Sequence, residues 1–163
     1  MVKTVTKDQK KYYKEVLADG GEGVMMKKLD STYTEGIRSH EWLKIKQFKT
    51  ADVIVVGATK GKGARKATFG ALILAEKRRD GSLKYVGKAS GFSEKDARML
   101  LEHVKKHSRK TSPFTVDEAK GTGTQVQDWC KPDMMIEVKY FEKTKSGKLR
   151  FPAFVRVRDD KTP

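Results

Sequence analysis

The residues best suited to chemistry lie near the two ends of the sequence. In Trp42-Leu43-Lys44-Ile45-Lys46, an extended backbone sends Lys44 and Lys46 to one face and Leu43 and Ile45 into the core. Two ammonium groups on one strand face suit a phosphate. Trp42 shares their parity, so part of that face should be covered. Near the C-terminus the same alternation puts Arg156 and Arg158 on one side, with Val155 and Val157 on the other. Each end therefore offers cations on an apolar support. Glu22 and Lys27 stand an odd number of positions apart, which in a regular strand places them on opposite faces unless a bulge near Gly23 changes the parity.

Positioning these groups requires a small set of elements. Thr6-Lys7-Asp8-Gln9 has the form of a capping box, and Tyr13, Val16 and Leu17 follow at helical spacing, predicting a helix from Lys7 to Asp19. Strands are expected over 21–28 and 42–48, separated by a polar loop that pivots at Gly36. A helix and two strands make a small core, and below ~40 residues chains usually need outside help. This N-terminal piece reads as part of something larger.

From Lys49 the pattern changes to short strands and turns. Strands are expected over 52–58, 69–77 and 83–89, with a Gly- and Lys-rich turn over 59–66 and a hairpin turn at Asp80-Gly81. A helix follows: Ser93 is its N-cap, Phe92 staples onto Ala97, Asp96 reaches back, and Ala97, Leu100, Leu101 and Val104 form one apolar stripe. A long connection over 108–124 leads to strands over 134–142 and 148–157, turned at Lys145-Ser146-Gly147. The fold class expected is mainly β with α: a five-stranded oligonucleotide-binding (OB) barrel with one helix, preceded by the small α+β piece. Other small barrels share this pattern.

The chain has 163 residues, 36 Lys plus Arg against 21 Asp plus Glu, and a net charge of +15. That excess points to a polyanionic partner, most simply nucleic acid, against the plainer reading of a basic soluble surface. The single Cys130 excludes an intrachain disulfide and is expected to pack beside Trp129. His40, His103 and His107 share no Cys or carboxylate ligand spacing, so no zinc site is expected. No apolar run reaches the ~18 residues that read as a membrane span, and no signal-peptide core is present. A soluble protein inside the cell, in cytoplasm and nucleoid or in a nucleus, is the expectation.

Glu22-Gly23-Val24-Met25-Met26-Lys27, then Trp42-Leu43-Lys44-Ile45-Lys46, then the run from Arg150-Phe151-Pro152 to Arg158-Asp159-Asp160-Lys161 resemble, in this order, nucleotidyltransferase motifs IV, V and VI of ATP-dependent DNA ligases. The resemblance covers nearly the whole chain. It implies residues 1–48 as the end of a nucleotidyltransferase (adenylation) domain and 49–163 as an OB domain, with a hinge over 47–50. The implied reaction passes AMP from ATP to a lysine, then to the 5′-phosphate at a nick in duplex DNA, and releases it as the 3′-hydroxyl seals the strand. Glu22 would hold Mg2+ (or Mn2+), and Lys44 and Lys46 would contact the adenylate phosphate. Arg158 and Lys161 would meet the β- and γ-phosphates of ATP, with Asp160 helping to orient the leaving group.

One part of the family pattern is absent. No Lys-x-Asp-Gly nucleophile occurs; the nearest string, Arg78-Arg79-Asp80-Gly81, offers a guanidinium, which cannot attack ATP. No Walker A spacing exists either. The expectation is a C-terminal ligase portion that depends on a missing N-terminal adenylation half and does not charge itself. Two alternatives carry different chemistry: a non-catalytic OB module gripping nucleic acid through the lysines of 59–66 and 84–88 with Tyr85 or Phe92 near the surface, or part of an RNA ligase or capping-type nucleotidyltransferase.

Overall fold

Tyr13, Val16 and Leu17 are spaced for a helix, and α1 runs over Gln9–Ala18 in a computed structural model that describes residues 3–123 and 126–163. The expected capping box does not form. Asp8 takes the N-cap with φ 54 in the left-handed region and makes no side-chain cap bond, whereas a capping side chain reaches the first-turn N–H groups from an extended backbone. Strands β1 (Gly23–Lys27) and β2 (Trp42–Lys46) pair antiparallel, with Met25 opposite Lys44 and Lys27 opposite Trp42. These elements belong to one compact unit, Met1–Gln47; Phe48–Pro163 form a second. No described residue of the first unit is fully buried. Leu43, expected in the core, is 47% exposed beside the equally open Met26.

The second unit is organised around β3 (Lys49–Lys60), which pairs antiparallel with β4 (Phe69–Lys77); β4 in turn pairs with β5 (Leu83–Ala89). The continuous apolar runs of β3 and β4 are explained by burial on both faces. Val53, Val55, Leu72 and Leu74 join one core cluster, while Ile54, Val56, Ile73 and Ala75 join another. Helix α2 (Glu94–Lys106) covers the first with Ala97, Leu100 and Val104, and its N-cap Ser93 accepts a hydrogen bond from the Asp96 N–H at 3.1 Å. The second is covered by what was expected to be a bare connection. That segment holds the short strand β6 (Ser108–Arg109) and helix α3 (Val116–Lys120), and Phe114 packs edge-on against Tyr85 and Trp129.

Strand β7 spans Val126–Tyr140 and starts well before Met134. Its pairing with β3 shifts between Val55–Met134 and Gly57–Trp129, so that four residues, Cys130–Asp133, lie against the single Val56. Pro132 has no N–H to give a ladder, and a bulge is where it fits. Cys130 is buried beneath this bulge, its thiol pushed up to about 12 by burial first and by Asp133 second.

The last strand, β8 (Ala153–Val157), is shorter than the pattern suggested and is bulged as well. Its partners on β7 run Val157–Ile136, Arg156–Glu137 and then Phe154–Val138, leaving Val155 out of the ladder and exposed. Phe154 and Val157 therefore both pack on the core, and the strict alternation expected for Val155 and Val157 fails. Strands β5 and β8 meet across a single parallel bridge, Ser90–Ala153, with the Ser90 N–H donating to the Pro152 carbonyl and the Phe154 N–H to the Ser90 carbonyl. In sheet order β3, β4, β5, β8 and β7 make a mainly β, OB-like arrangement that is not closed into a full barrel; besides that bridge, the Leu149 N–H donates to the Val86 carbonyl of β5 at 2.7 Å. Among the described residues no helix is long and apolar enough to cross a membrane.

Leu100 is wholly buried between α2 and the sheet, whereas Val155 is 44% exposed. In urea denaturation, Leu100→Ala should cost about 2–5 kcal/mol, and Val155→Thr should stay within ~0.5 kcal/mol of the parent. Equal losses would contradict the bulge.

Candidate functional site

Period-two alternation delivers the face expected at the hairpin. Lys44 projects from β2 opposite Met25, is exposed, and has no ion-pair partner among the described residues. Lys46 lies next along the same face, opposite Gly23, and its Nζ is 2.9 Å from Glu22 Oε2. Gly23 makes this meeting possible. Its φ of 141 lies in the region that glycine favours, and a Cβ there would stand 2.1 Å from the Ile45 carbonyl oxygen. The irregular backbone at Gly23 brings the Glu22 carboxylate to the lysine face despite its even parity with Val24 and Met26. Lys27 stands on the lysine face too, as the cross-strand partner of Trp42, with Nζ 3.7 Å from the Trp42 ring centroid. The cover anticipated over Trp42 is supplied by that lysine, by the Tyr33 ring at 5.5 Å, and by Ser31, whose Oγ accepts from the indole N–H at 2.8 Å.

At the other end, the guanidinium of Arg158 is a hub. It donates to Asp160 through Nε (2.8 Å) and Nη2 (2.7 Å), and to Asp52 Oδ1 of β3 through Nη1 at 2.6 Å. Lys161 Nζ takes the other Asp52 oxygen, also at 2.6 Å. Arg158 is only 12% exposed. The Lys161 hydrogen bond, outweighing burial, holds the Asp52 carboxyl below the usual carboxylate range, with the Arg158 charge adding to it. The Arg158 hydrogen bond does the same for Asp160. Arg156 pairs with Glu137 across the ladder at 2.8 Å. The structure thus unites Arg158, Asp160 and Lys161, and adds Asp52, which no motif singled out.

A third surface was misplaced by sequence reasoning. Tyr85 and Phe92 are buried core residues; an exposed aromatic near them is Phe151, 73% exposed and held at φ 54. Its ring centroid lies 5.5 Å from the Arg150 guanidinium carbon. It borders a cavity of about 460 Å3 whose rim carries Lys88 and Lys148. An exposed ring in a conformation few L-residues adopt, flanked by cations, suits stacking on a base or wedging in a groove. Phe151 precedes Pro152, a position that favours extended backbone with negative φ, so the sequence carried no signal for its φ of 54. His103 and His107, dismissed for spacing, both contact Asp133.

Comparison with known sequences and structures identifies a family for the chain. The profile of the ATP dependent DNA ligase C terminal region matches residues 65–161, and that of the ATP dependent DNA ligase domain matches residues 2–46. The multifunctional non-homologous end joining protein LigD of Mycolicibacterium smegmatis is 38% identical over 143 residues, 87% of this chain and 18% of that protein. The ligase domain of M. tuberculosis LigD superposes with a TM-score of 0.62 at 31% identity, covering 93% of this chain and 48% of that one. A mycobacterial DNA ligase D solved with ATP and MES gives 0.60 at 28% identity, with the same coverage. The chain spans 18% to 29% of the length of the curated relatives it matches.

The depressed carboxyls of Asp52 and Asp160 fix a pH dependence. A group whose folded pKa lies below its unfolded value, ~3.9 for Asp, contributes stability that is fully present above that value and lost as pH falls through the folded pKa. Thermal melts should therefore be insensitive to these groups at neutral pH and fall below about pH 4. Asp52→Asn or Asp160→Asn should lower the neutral-pH melting temperature and flatten the acid limb. Asp80, lowered by its hydrogen bonds from Ser82, should account for part of the slope that remains. An unchanged acid limb in both variants would remove the knot from the stability of the fold.

Proposed function

Because this chain belongs to the ATP-dependent DNA ligases, we propose that it is the C-terminal portion of such an enzyme and acts in sealing nicks in duplex DNA. Residues 1–48 close a nucleotidyltransferase domain, and 49–163 form the OB domain that grips DNA. The nucleophilic lysine is brought by an N-terminal adenylation half, and the work is done inside the cell, where DNA is kept. What supports this reading most is the hairpin register, which gathers Lys44, Lys46 and Glu22 at one place where cations can meet a phosphate and a carboxylate can meet a metal.

The roles follow from charge. Substitution at phosphorus needs little covalent chemistry from a protein; it needs the phosphoryl group held in line and its charge balanced. Lys44, with no ion-pair partner among the described residues to give up, binds the nucleotide phosphate, and Lys46 binds beside it. Arg158 and Lys161 exchange Asp52 for the β- and γ-phosphate oxygens of ATP, while the bidentate Asp160 keeps the guanidinium plane oriented. Of the hinge expected over 47–50, Lys49 and Thr50 are paired with Tyr140 and Lys139 in the β3–β7 ladder, which leaves Gln47 and Phe48 outside it. Glu22 fits Mg2+ (or Mn2+), an oxygen-seeking ion that needs one or two carboxylates beside phosphate. When bound, such an ion would draw charge from the phosphate oxygens. Phe151, Lys88 and Lys148 contact the DNA.

Labelled ATP offered to this chain alone should leave no covalent label. Mixed with a fragment bearing the Lys-x-Asp-Gly half, the chain should restore sealing of a nicked duplex, and Lys44→Ala should slow it roughly 100- to 1,000-fold, as loss of a charge-stabilising donor does. Affinity for the nick should fall with salt at about −0.9 per phosphate neutralised on a log–log plot. The ligase reading fails if no sealing appears and plain single strands bind as tightly as the nick, an outcome that favours a binding module.

A further inference from the structure

His103 and His107 are four positions apart at the C-terminal end of α2, so both rings emerge from one face of the helix. Their ring centroids are 4.2 Å apart. Asp133 reaches them from the four-residue bulge of β7, with Oδ1 3.0 Å from His103 Nε2 and Oδ2 2.5 Å from His107 Nδ1. The bulge is anchored there by the Lys131 N–H, which donates to the His107 carbonyl at 2.9 Å. Pro132, unable to serve the ladder, turns the strand so that the residue after it leaves the sheet toward the helix. None of this belongs to the phosphate-handling groups described above.

From this arrangement we propose that His103, His107 and Asp133 form a binding site for a divalent transition metal of the zinc type. The two ring nitrogens and a carboxylate oxygen already lie within 4.8 Å of one another. Ligands of a tetrahedral zinc, with bonds of ~2.0–2.1 Å, stand ~3.3 Å apart. One Asp133 oxygen already stands 3.0 Å from His103 Nε2, close to this, and the donor atoms, spread over as much as 4.8 Å, must close by up to ~1.5 Å through side-chain rotation. All three side chains keep part of their surface in water, so solvent supplies the fourth position.

The donor set decides the metal class. Imidazole suits zinc, copper, iron and nickel, whereas Mg2+ seeks an octahedron of oxygens. This site therefore does not compete for the ion assigned to Glu22. The C-terminus of α2 adds the negative end of the helix dipole, favourable to a cation. The net charge of +15 opposes cations in general, but exposed charges farther than a Debye length of ~8 Å are largely screened at physiological salt, and inner-sphere bonds act at ~2 Å. A bound ion would rivet the end of α2 to the bulge of β7, at the corner where helix returns to sheet.

The full chain should bind one Co2+ with visible d–d bands that Zn2+ abolishes and millimolar Mg2+ leaves alone. His103→Gln, His107→Gln and Asp133→Asn, each checked for folding by circular dichroism, should weaken Zn2+ binding by more than the roughly tenfold that even an outer-shell partner costs. Imidazole NMR of the unmodified chain provides a readout that needs no variant. Zn2+ should move the His103 and His107 signals and leave His40 in place. Absence of Co2+ bands, equal shifts at all three histidines, or undiminished binding by a folded His103→Gln/His107→Gln chain would each overturn the site and leave a plain His–Asp–His hydrogen-bond knot.

Discussion

The antiparallel pairing of β3 with β7 is the constraint on which the larger unit depends. It runs from Lys49–Tyr140 to Thr59–Val126, and nearly everything of chemical interest is placed by it or by its irregularities. Asp52 is on its β3 side, within reach of Arg158 and Lys161, because β8 is registered on the far edge of the same β7. Where the ladder is regular, side chains alternate between two core clusters. Where it is interrupted, between Val55 and Gly57, the surplus of β7 is expelled toward α2 and carries Asp133 with it. The bulge at Val155 repeats the device on β8, turning one apolar residue outward so that Phe154 and Val157 can both face the core.

A chain with 36 Lys and Arg against 21 Asp and Glu can pair only some of its cations, and several of those pairs lie near the surface. Lys143 with Glu76, Arg150 with Glu142 and Arg156 with Glu137 are all at least partly hydrated. Exposed pairs of this kind contribute about 0–1 kcal/mol each, so a phosphate, which takes the same donors with more charge, displaces the carboxylates at little cost. Arg158 is different. Its withdrawal from solvent and its three hydrogen bonds to Asp52 and Asp160 make it the most firmly held cation among the candidate groups.

What could be read beforehand follows the physics of each element. Strands β4 and β5 end where their apolar runs end, and α2 begins at the cap that Ser93 and Asp96 announce, because these features are local. Lys44 and Lys46 share a face for the same reason: period two needs no tertiary information. Apart from the capping box at Thr6–Gln9, which is local, the misses are non-local. The early part of β7 was hidden by Pro132, which argues against a strand until a partner absorbs it in a bulge. Val155 looked like core because alternation was assumed to continue through a shifted register. Phe114 and α3 have no periodicity to betray that they cover the Ile54 side of the sheet. His103 and His107 had helical spacing in plain view, yet their carboxylate lies 26 residues or more downstream and arrives only through the fold.

The hairpin of the smaller unit presents a last consequence of burial. Val24, Met26, Leu43 and Ile45 alternate as an inward face should, but Met26 and Leu43, directly opposite one another, are both half open to solvent. An isolated two-stranded hairpin is marginal in water, and about 25 cal/mol per Å2 of apolar surface is forgone while such a face stays uncovered. The residues on its other side, Lys44 and Lys46, are positioned no more firmly than the hairpin itself. Holding reacting groups to within a fraction of an ångström matters for phosphoryl transfer, so covering the Met26–Leu43 face and sharpening the lysine face are one event. The cations at Lys44 and Lys46 therefore take their precision from contacts on the apolar side of the hairpin, which they do not themselves make.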